Sequence, residues 1–322
     1  MLASEPMATP DIAPITIPDG FTVWAGSDWH GQRAAADRLL ARAGLTDGAD
    51  RWIAPPGTAL VITGDLVDRG PDSVGLVRRI ASLREQAPAL GSLVAILEGN
   101  HEIQVLGGLD GVPEIFEALM TFGGGATMLS AGMPMGAWED RPAEELAAYL
   151  DTVVPDLRPT LRTFAPYARW RDTLFVHGGP VPDRDLEHFR ASSERLWIRR
   201  RFFESPDSFP EADCWSAYRE AGFRRIVFGH TPLERATTFH DGLALCLDTW
   251  RGGIVTLARI PAEGSLEAAE ILEETAEPRA VADRPVDPDR LRRLDGPITE
   301  FVDAWAAKGR TGVVGARPDD RP

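Results

Sequence analysis

The chain has 322 residues and a formal net charge of −15, with 49 acidic against 34 basic side chains. That excess repels polyanions at long range and excludes a duplex-coating role, while the length and evenly spread apolar residues suit one substantial core. Two cysteines are too few for a disulfide framework or a cysteine metal site, and no apolar run reaches the roughly eighteen residues of a membrane helix.

Residues 1–20 are rich in proline and small side chains and read as a flexible arm. They hold no basic stretch leading into an apolar one, so no secretory signal is expected, and with reduced cysteines the expected address is cytoplasmic. From Phe21 the pattern changes: a strand at 21–25 leads into the turn GSDWHG at 26–31 and a helical stretch at 33–43. The same unit recurs as a strand at 58–62, the loop TGDLVDRG at 63–70 and a helix at 72–84, and a third strand at 93–97 runs into EGNHE. Asp28 to Asp65 is 37 residues and Asp65 to Asn100 is 35, the length of a strand, a crossover helix and the next strand. Such crossovers lay the strands parallel and bring the three polar loops to one carboxyl-terminal edge.

Residues 103–170 break this rhythm, with helical patches at 112–121 and 142–150 around GGGATMLSAGMPMG, and read as a cap-like insertion. Strands resume at 173–176 before HGGP and at 225–228 before GHTP, with two more at 243–247 and 253–260. After Pro261 the pattern predicts an acidic helical stretch to Glu277, a proline-rich linker and a short helix at 297–307.

Four of the six histidines, His30, His101, His177 and His230, follow strand ends, while His188 and His240 read as surface residues. One loop histidine alone is most often just hydrogen-bonded. The ordered set is different in kind. A pair of divalent cations about 4 Å apart needs carboxylates, imidazoles and one bridging carboxylate, with positions left for water and substrate. Asp28, His30, Asp65, Asn100, His177 and His230 supply that set.

The order DWH, GDLVDRG, GNHE, HGG, GHT resembles the calcineurin-like metallophosphoesterases over residues 22 to 260. The likeness is to the phosphoprotein-phosphatase branch, which includes bacterial and phage serine/threonine phosphatases and diadenosine tetraphosphate hydrolases. It implies an α/β fold, a four-layer αββα sandwich with mixed sheets, as a catalytic domain over 21–262 with an acidic, proline-containing tail over 263–322. It also implies Asp28 and His30 as ligands of one metal, Asp65 as the bridge, and Asn100, His177 and His230 completing the second site. The expected ions are manganese or iron, with zinc an alternative. They would polarise phosphoryl oxygens and ionise a bound water for in-line attack. His101 resembles the general acid, held by Asp68, and Arg69 with Arg199 the phosphate clamp; Arg200 and Arg201 read as solvated. Asp248 matches a supporting element, and the tryptophans read as core, with Trp29, between Asp28 and His30, open to the alternative of shaping the site wall.

The chain departs from the family at Ser27, Pro180 and Trp250-Arg251, the latter pair standing where glycine is common, and these changes are expected to touch the substrate rim. The expected activity is hydrolysis of phosphomonoesters, in phosphoserine or phosphothreonine proteins or in small molecules. A dinucleoside polyphosphate hydrolase is the alternative within the family, with Trp138 or Phe122 as stacking candidates. A non-catalytic scaffold is the alternative of another class, and it conflicts with an intact ligand set. No nucleic-acid polymer or membrane is an expected partner.

Overall fold

The computed structural model describes residues 12–48, 50–199, 209–281 and 298–308. Two sheets face each other. The first runs β4-β3-β2-β10-β11, from β2 (Thr22–Gly26), β3 (Thr58–Ile62), β4 (Leu93–Ile96), β10 (Ile254–Ile260) and β11 (Glu270–Thr275). In it β2, β3 and β4 are parallel and β10 and β11 antiparallel. The crossovers are α1 (Arg33–Arg42) and α2 (Ser73–Gln86), whose N-cap Asp72 accepts the Gly75 N–H. The second sheet runs β1-β5-β6-β7-β9-β8, from β1 (Ile15–Ile17), β5 (Ala168–Trp170), β6 (Thr173–Phe175), β7 (Arg225–Phe228), β8 (Thr237–Phe239) and β9 (Ala244–Cys246). Here β6, β7 and β9 are parallel.

Strand alternation sorts the side chains into three apolar layers. Val23, Ala25, Ala59, Val61 and Ala95 of the first sheet meet Phe175, Val227 and Leu245 of the second. The opposite faces, with Leu60 and Ile62 on one sheet and Ile226 and Phe228 on the other, pack on helices. The result is the four-layer sandwich, with small residues in the first sheet's inner face letting the sheets approach.

Between the sheets in sequence lie α3 (Asn100–Leu109), α4 (Pro113–Thr121), α5 (Gly125–Ser130), α6 (Ala143–Val153) and α7 (Leu157–Leu161), followed after β6 by α8 (Leu186–Ala191) and α9 (Ser216–Glu220). The last helix, α10 (Ile298–Ala307), buries Ile298, Val302 and Trp305, and Trp305 Nε1 donates to Asp110 Oδ2 at 3.1 Å. None of the described helices is long and apolar enough to cross a membrane.

Two expectations change. Residues 15–17, read as part of a loose arm, form β1 and pair in parallel with β5. Residues 270–275, read as helix, form β11, in register with β10 from Ile254↔Thr275 to Arg259↔Glu270. The Ala-, Glu- and Leu-rich composition favours helix locally, but the open edge of β10 offers unpaired backbone groups, and pairing with them wins. The expectations for residues 1–11, Arg200, Arg201 and the linker at 282–297 lie outside the described residues.

Candidate metal centre

Every side chain of the expected set lies just beyond the carboxyl end of a parallel strand: Asp28 and His30 after β2, Asp65, Asp68 and Arg69 after β3, Asn100 and His101 after β4, His177 after β6, His230 after β7. Pairing within each sheet thus aligns the loops on one edge, and the packing of the sheets brings the two edges together. The turns are tight. Asp28, His30, Asp65, Asp68, Arg69 and His230 have φ of 54°, 37°, 58°, 69°, 64° and 63°, six of the ten non-glycine residues in the left-handed region among those described. Such backbone is strained for side-chain-bearing residues and gathers where function over-determines it. Gly99 answers to the same crowding, since a Cβ there would overlap the Asp65 carboxylate.

The donors converge in two groups. Asp65 Oδ2 is 3.7 Å from His30 Nε2, and Asp65 Oδ1 is 3.4 Å from His177 Nε2. Asn100 Oδ1 is 2.9 Å from His177 Nε2 and 2.8 Å from His230 Nδ1. Ligand atoms about 2.1 Å from one ion and at right angles stand about 3.0 Å apart, so these are the separations of neighbouring ligands. His177 Nδ1 is bonded to the Thr63 carbonyl at 2.8 Å and His30 Nδ1 to the Val67 carbonyl at 2.8 Å. In the tautomers these bonds select, each Nε2 turns its lone pair inward. At His177 that lone pair meets an amide oxygen, acceptor against acceptor, which a cation between them would satisfy. His230 Nε2 and Asp248 Oδ2 are buried with no hydrogen-bond partner. The donor set therefore fits divalent cations.

Donor spacing alone groups His30, Asp65 and His101 as one possible ion site and Asp65, His177 and His230 as another. The first takes His101 where Asp28 was expected. Asp28 Oδ1 is 4.0 Å from His30 Nε2, and its Oδ2 accepts the His230 N–H at 3.0 Å. His101 Nδ1 is engaged by Asp68 Oδ2 at 2.8 Å, leaving Nε2 facing the cluster.

Burial dominates the electrostatics. It pushes the carboxyls of Asp28 and Asp65 well above their ordinary range, reinforced at Asp28 by Asp248 and at Asp65 by Glu102. It pushes His30, His101 and His230 well down, helped at the first two by Arg69 and at the third by Arg199. The imidazoles are thus neutral near pH 7 and ready to act as ligands, while the carboxyls call for a positive charge beside them. Arg69 supplies part of one: its Nη1 donates to His30 Nε2 at 2.6 Å.

Sequence reasoning gave Glu102 no role. Its carboxylate accepts the N–H groups of Asp65 (2.9 Å), Leu66 (2.7 Å), Val67 (3.3 Å) and Gly99 (2.9 Å), tying the β3 loop to the start of α3. Thr127 of α5 was also missed: its hydroxyl donates to Asp68 Oδ1 at 2.5 Å and accepts the Asp68 N–H at 3.1 Å. The segment 103–170 therefore braces the site from beneath. Trp29 does not shape the site wall; it is fully buried, with Nε1 on the Thr256 carbonyl at 3.0 Å. Trp138 is buried as well, against Gly125. Trp250 takes the wall position, its ring 5.2 Å from that of His30. It lines a cleft of about 650 Å³ with Arg69, Pro232, Arg251, Glu277 and Arg279, and no residue of 103–170 lines this cleft. Arg199 Nε donates to the His230 carbonyl at 3.2 Å, which sets it beside the centre. His188 and His240 lie apart from it, His188 against Glu194 and His240 against Phe209.

The profile of the calcineurin-like phosphoesterases matches residues 21–247. The chain belongs to the calcineurin-like phosphoesterase family. Among its relatives, "Shewanella-like protein phosphatase 2" of Arabidopsis thaliana is 26% identical over 63% of this chain and 64% of its own, so the chain spans just under two thirds of that protein. A symmetrical bis(5'-nucleosyl)-tetraphosphatase of Chromohalobacter salexigens is 27% identical over 77% of this chain and 98% of its own. The solved cold-active protein-tyrosine phosphatase of a psychrophilic Shewanella superposes with a TM-score of 0.53, covering 83% of each chain at 21% identity, a likeness of fold. The family is one of phosphoesterases that use divalent metals, and the donor groups described above fit such ions.

In Glu102→Gln one acceptor oxygen must serve amides that two charged oxygens now hold. The variant should lose about 3 kcal/mol in urea denaturation, with faster amide exchange at Leu66 and Val67. Parental stability and exchange would show that the β3 loop stands without this carboxylate.

Proposed function

We propose that this phosphoesterase hydrolyses phosphomonoesters at a two-metal centre, with Asp28 and His30 holding one ion, Asn100, His177 and His230 the other, and Asp65 bridging. The observation that carries this reading is the Asp65 carboxylate, whose two oxygens face His30 Nε2 at 3.7 Å and His177 Nε2 at 3.4 Å. The nitrogen and oxygen donors suit manganese or iron, and zinc less distinctively. When bound, the ions would neutralise phosphoryl charge and lower the pKa of a water. The remaining work falls to side chains. Arg69 and Arg199 fork onto phosphoryl oxygens in bidentate fashion, Arg69 turning from His30 to do so. His101 gives the leaving oxygen its proton from Nε2 while Asp68 holds Nδ1–H. Burial pushes the His101 imidazole toward the neutral form in the free protein, the incoming phosphate dianion raises its proton affinity, and His101 takes a proton from solvent as the substrate binds.

The substrate class we favour is seryl or threonyl phosphate in proteins, or small phosphomonoesters. A dinucleoside polyphosphate is the second reading, and the observation in its favour is the arginine-lined cleft beside Trp250. A cytoplasmic setting accords with the chain having only two cysteines, of which Cys246 is a buried free thiol.

Three outcomes are expected. Asp65→Asn, which a left-handed φ of 58° tolerates, should bind less than the parental metal content by elemental analysis. It should also lose p-nitrophenyl phosphate hydrolysis by more than about a hundredfold; full activity would sink the bridging role. His101→Ala should slow alkyl phosphates by about 10²–10⁴-fold and p-nitrophenyl phosphate far less, because only the poor leaving group needs a proton; equal losses would exclude that role. In a manganese-loaded panel of a phosphopeptide, a small monoester, a diester and diadenosine tetraphosphate, the monoesters should turn over fastest, and a lead for the dinucleotide would install the second reading.

A further inference from the structure

The helix α10 lies outside the stretch that the family profile matches, which ends at residue 247. It is nevertheless bonded to a turn that serves the centre. Its Asp303 accepts the Ser193 N–H at 2.6 Å and the Ser192 hydroxyl at 3.0 Å, and its Thr299 carbonyl accepts the Ser193 hydroxyl at 3.4 Å. These donors open the short 3-10 turn Ser193–Leu196, whose first N–H has no partner within the turn. A carboxylate acceptor at that place makes the bonds charge-assisted. The helix is anchored a second time by Trp305 Nε1 on Asp110, a carboxylate that also takes Arg158 and Arg162.

The turn carries Arg195, and Arg195 touches both halves of the candidate centre. Its carbonyl accepts the N–H groups of Gly178 at 2.9 Å and Gly179 at 3.2 Å, the two residues after His177. A Cβ on Gly178 would stand 2.8 Å from that carbonyl oxygen, so only glycine permits the approach. The Arg195 side chain is buried. Its Nη2 pairs with the buried Glu98 carboxylate, two residues before Asn100, and its Nη1 donates to the carbonyls of Phe189 and Arg190 at 3.4 Å and to that of Ser192, at the end of α8. Glu98 follows β4 of the first sheet, and Arg195 is bonded to the loop after β6 of the second, so the pair ties one sheet edge to the other. His177 Nε2 and Asn100 Oδ1, one from each edge, are 2.9 Å apart. Their spacing depends on how the edges meet. A buried ion pair adds little net stability, because both charges are desolvated, but the rigid guanidinium fork fixes the position of whatever it joins.

We propose that Asp303 and Arg195 are positioning residues for the second ion. Asp303 sets the turn, and Arg195, through Glu98 and the Gly178 amide, sets the spacing of Asn100 and His177. The C-terminal helix is in this way part of the support of the metal centre, although it carries none of the expected ligands. This rests on the two-metal reading above and adds what holds one half of it.

The test is manganese titration of the full chain by calorimetry, joined to amide exchange in the metal-free protein. The parent should take up two ions. Asp303→Ala should weaken one of them by about tenfold, the usual effect of removing a support behind a ligand. It should leave the other unchanged and speed exchange at Gly178 and Gly179 without metal. Asp303→Asn, which keeps an acceptor for the Ser193 N–H, should restore most of the lost affinity. Arg195→Lys keeps the charge but loses the fork, and should repeat the loss at one ion. Leu39→Ala opens a cavity under α1 and lowers stability without touching these bonds, and should weaken neither ion. Equal weakening of both ions in Asp303→Ala, the same one-ion loss in Leu39→Ala, or affinities and glycine exchange that match the parent would overturn the proposal. Uptake of fewer than two ions by the parent would instead sink the two-metal reading, and exchange at Gly178 and Gly179 would still decide whether Asp303 holds the loop.

Discussion

The site depends on one carboxylate that touches no ligand atom. Glu102 takes four backbone N–H groups from two loops, and because the acceptor is charged and buried those bonds are stronger than neutral ones. They hold the β3 loop in left-handed turns that its aspartates and arginine would otherwise leave, and they lock it to the first turn of α3. Asp65 then accepts the His101 N–H at 3.0 Å, its charge facing the positive end of that helix. The place of the Asp65 carboxylate is thus set by backbone hydrogen bonds on two sides.

That scaffold creates a pocket built in opposition to solvation. Three carboxylates, Asp28, Asp65 and Asp248, are buried together with their pKa values raised, and neutral histidines stand among them. A protein interior tolerates such a cluster only when charge of the other sign can enter it. The sandwich supplies the rigidity: both sheets end at this edge, and α5 and the start of α3 close it from beneath through Thr127 and Glu102.

The convergence of these side chains was legible because the loops that carry them obey local rules. A buried strand followed by a polar loop at intervals of one βα unit places its residues on a known edge, and hard donors in ordered loops narrow the chemistry. Glu102 was not legible for the opposite reason: its partners are amides, which no side-chain pattern announces. Thr127 reaches the site from 59 residues beyond Asp68, with no spacing rule to reveal it, whereas Trp250 was expected at the substrate rim because it stands where the family commonly has glycine. β11 escaped because Glu, Ala and Leu favour helix locally while the decisive term, an open strand edge, lies elsewhere in the chain. β1 is three residues long, and its pairing with β5 spans more than 150 residues. Of the two readings of Trp29 the core one holds, because neighbours in sequence at a tight turn point in opposite directions, Asp28 and His30 into the site and Trp29 into the core.

Residues 276–279, which line the cleft with Trp250 and Arg251, lie beyond the stretch that the family profile covers, which ends at residue 247. The candidate metal donors and the residues that line the far side of the cleft therefore occupy separate lengths of chain. A substitution at 276–279 would reshape the cleft and leave every candidate donor in place, so the rim and the centre of this fold are free to change independently.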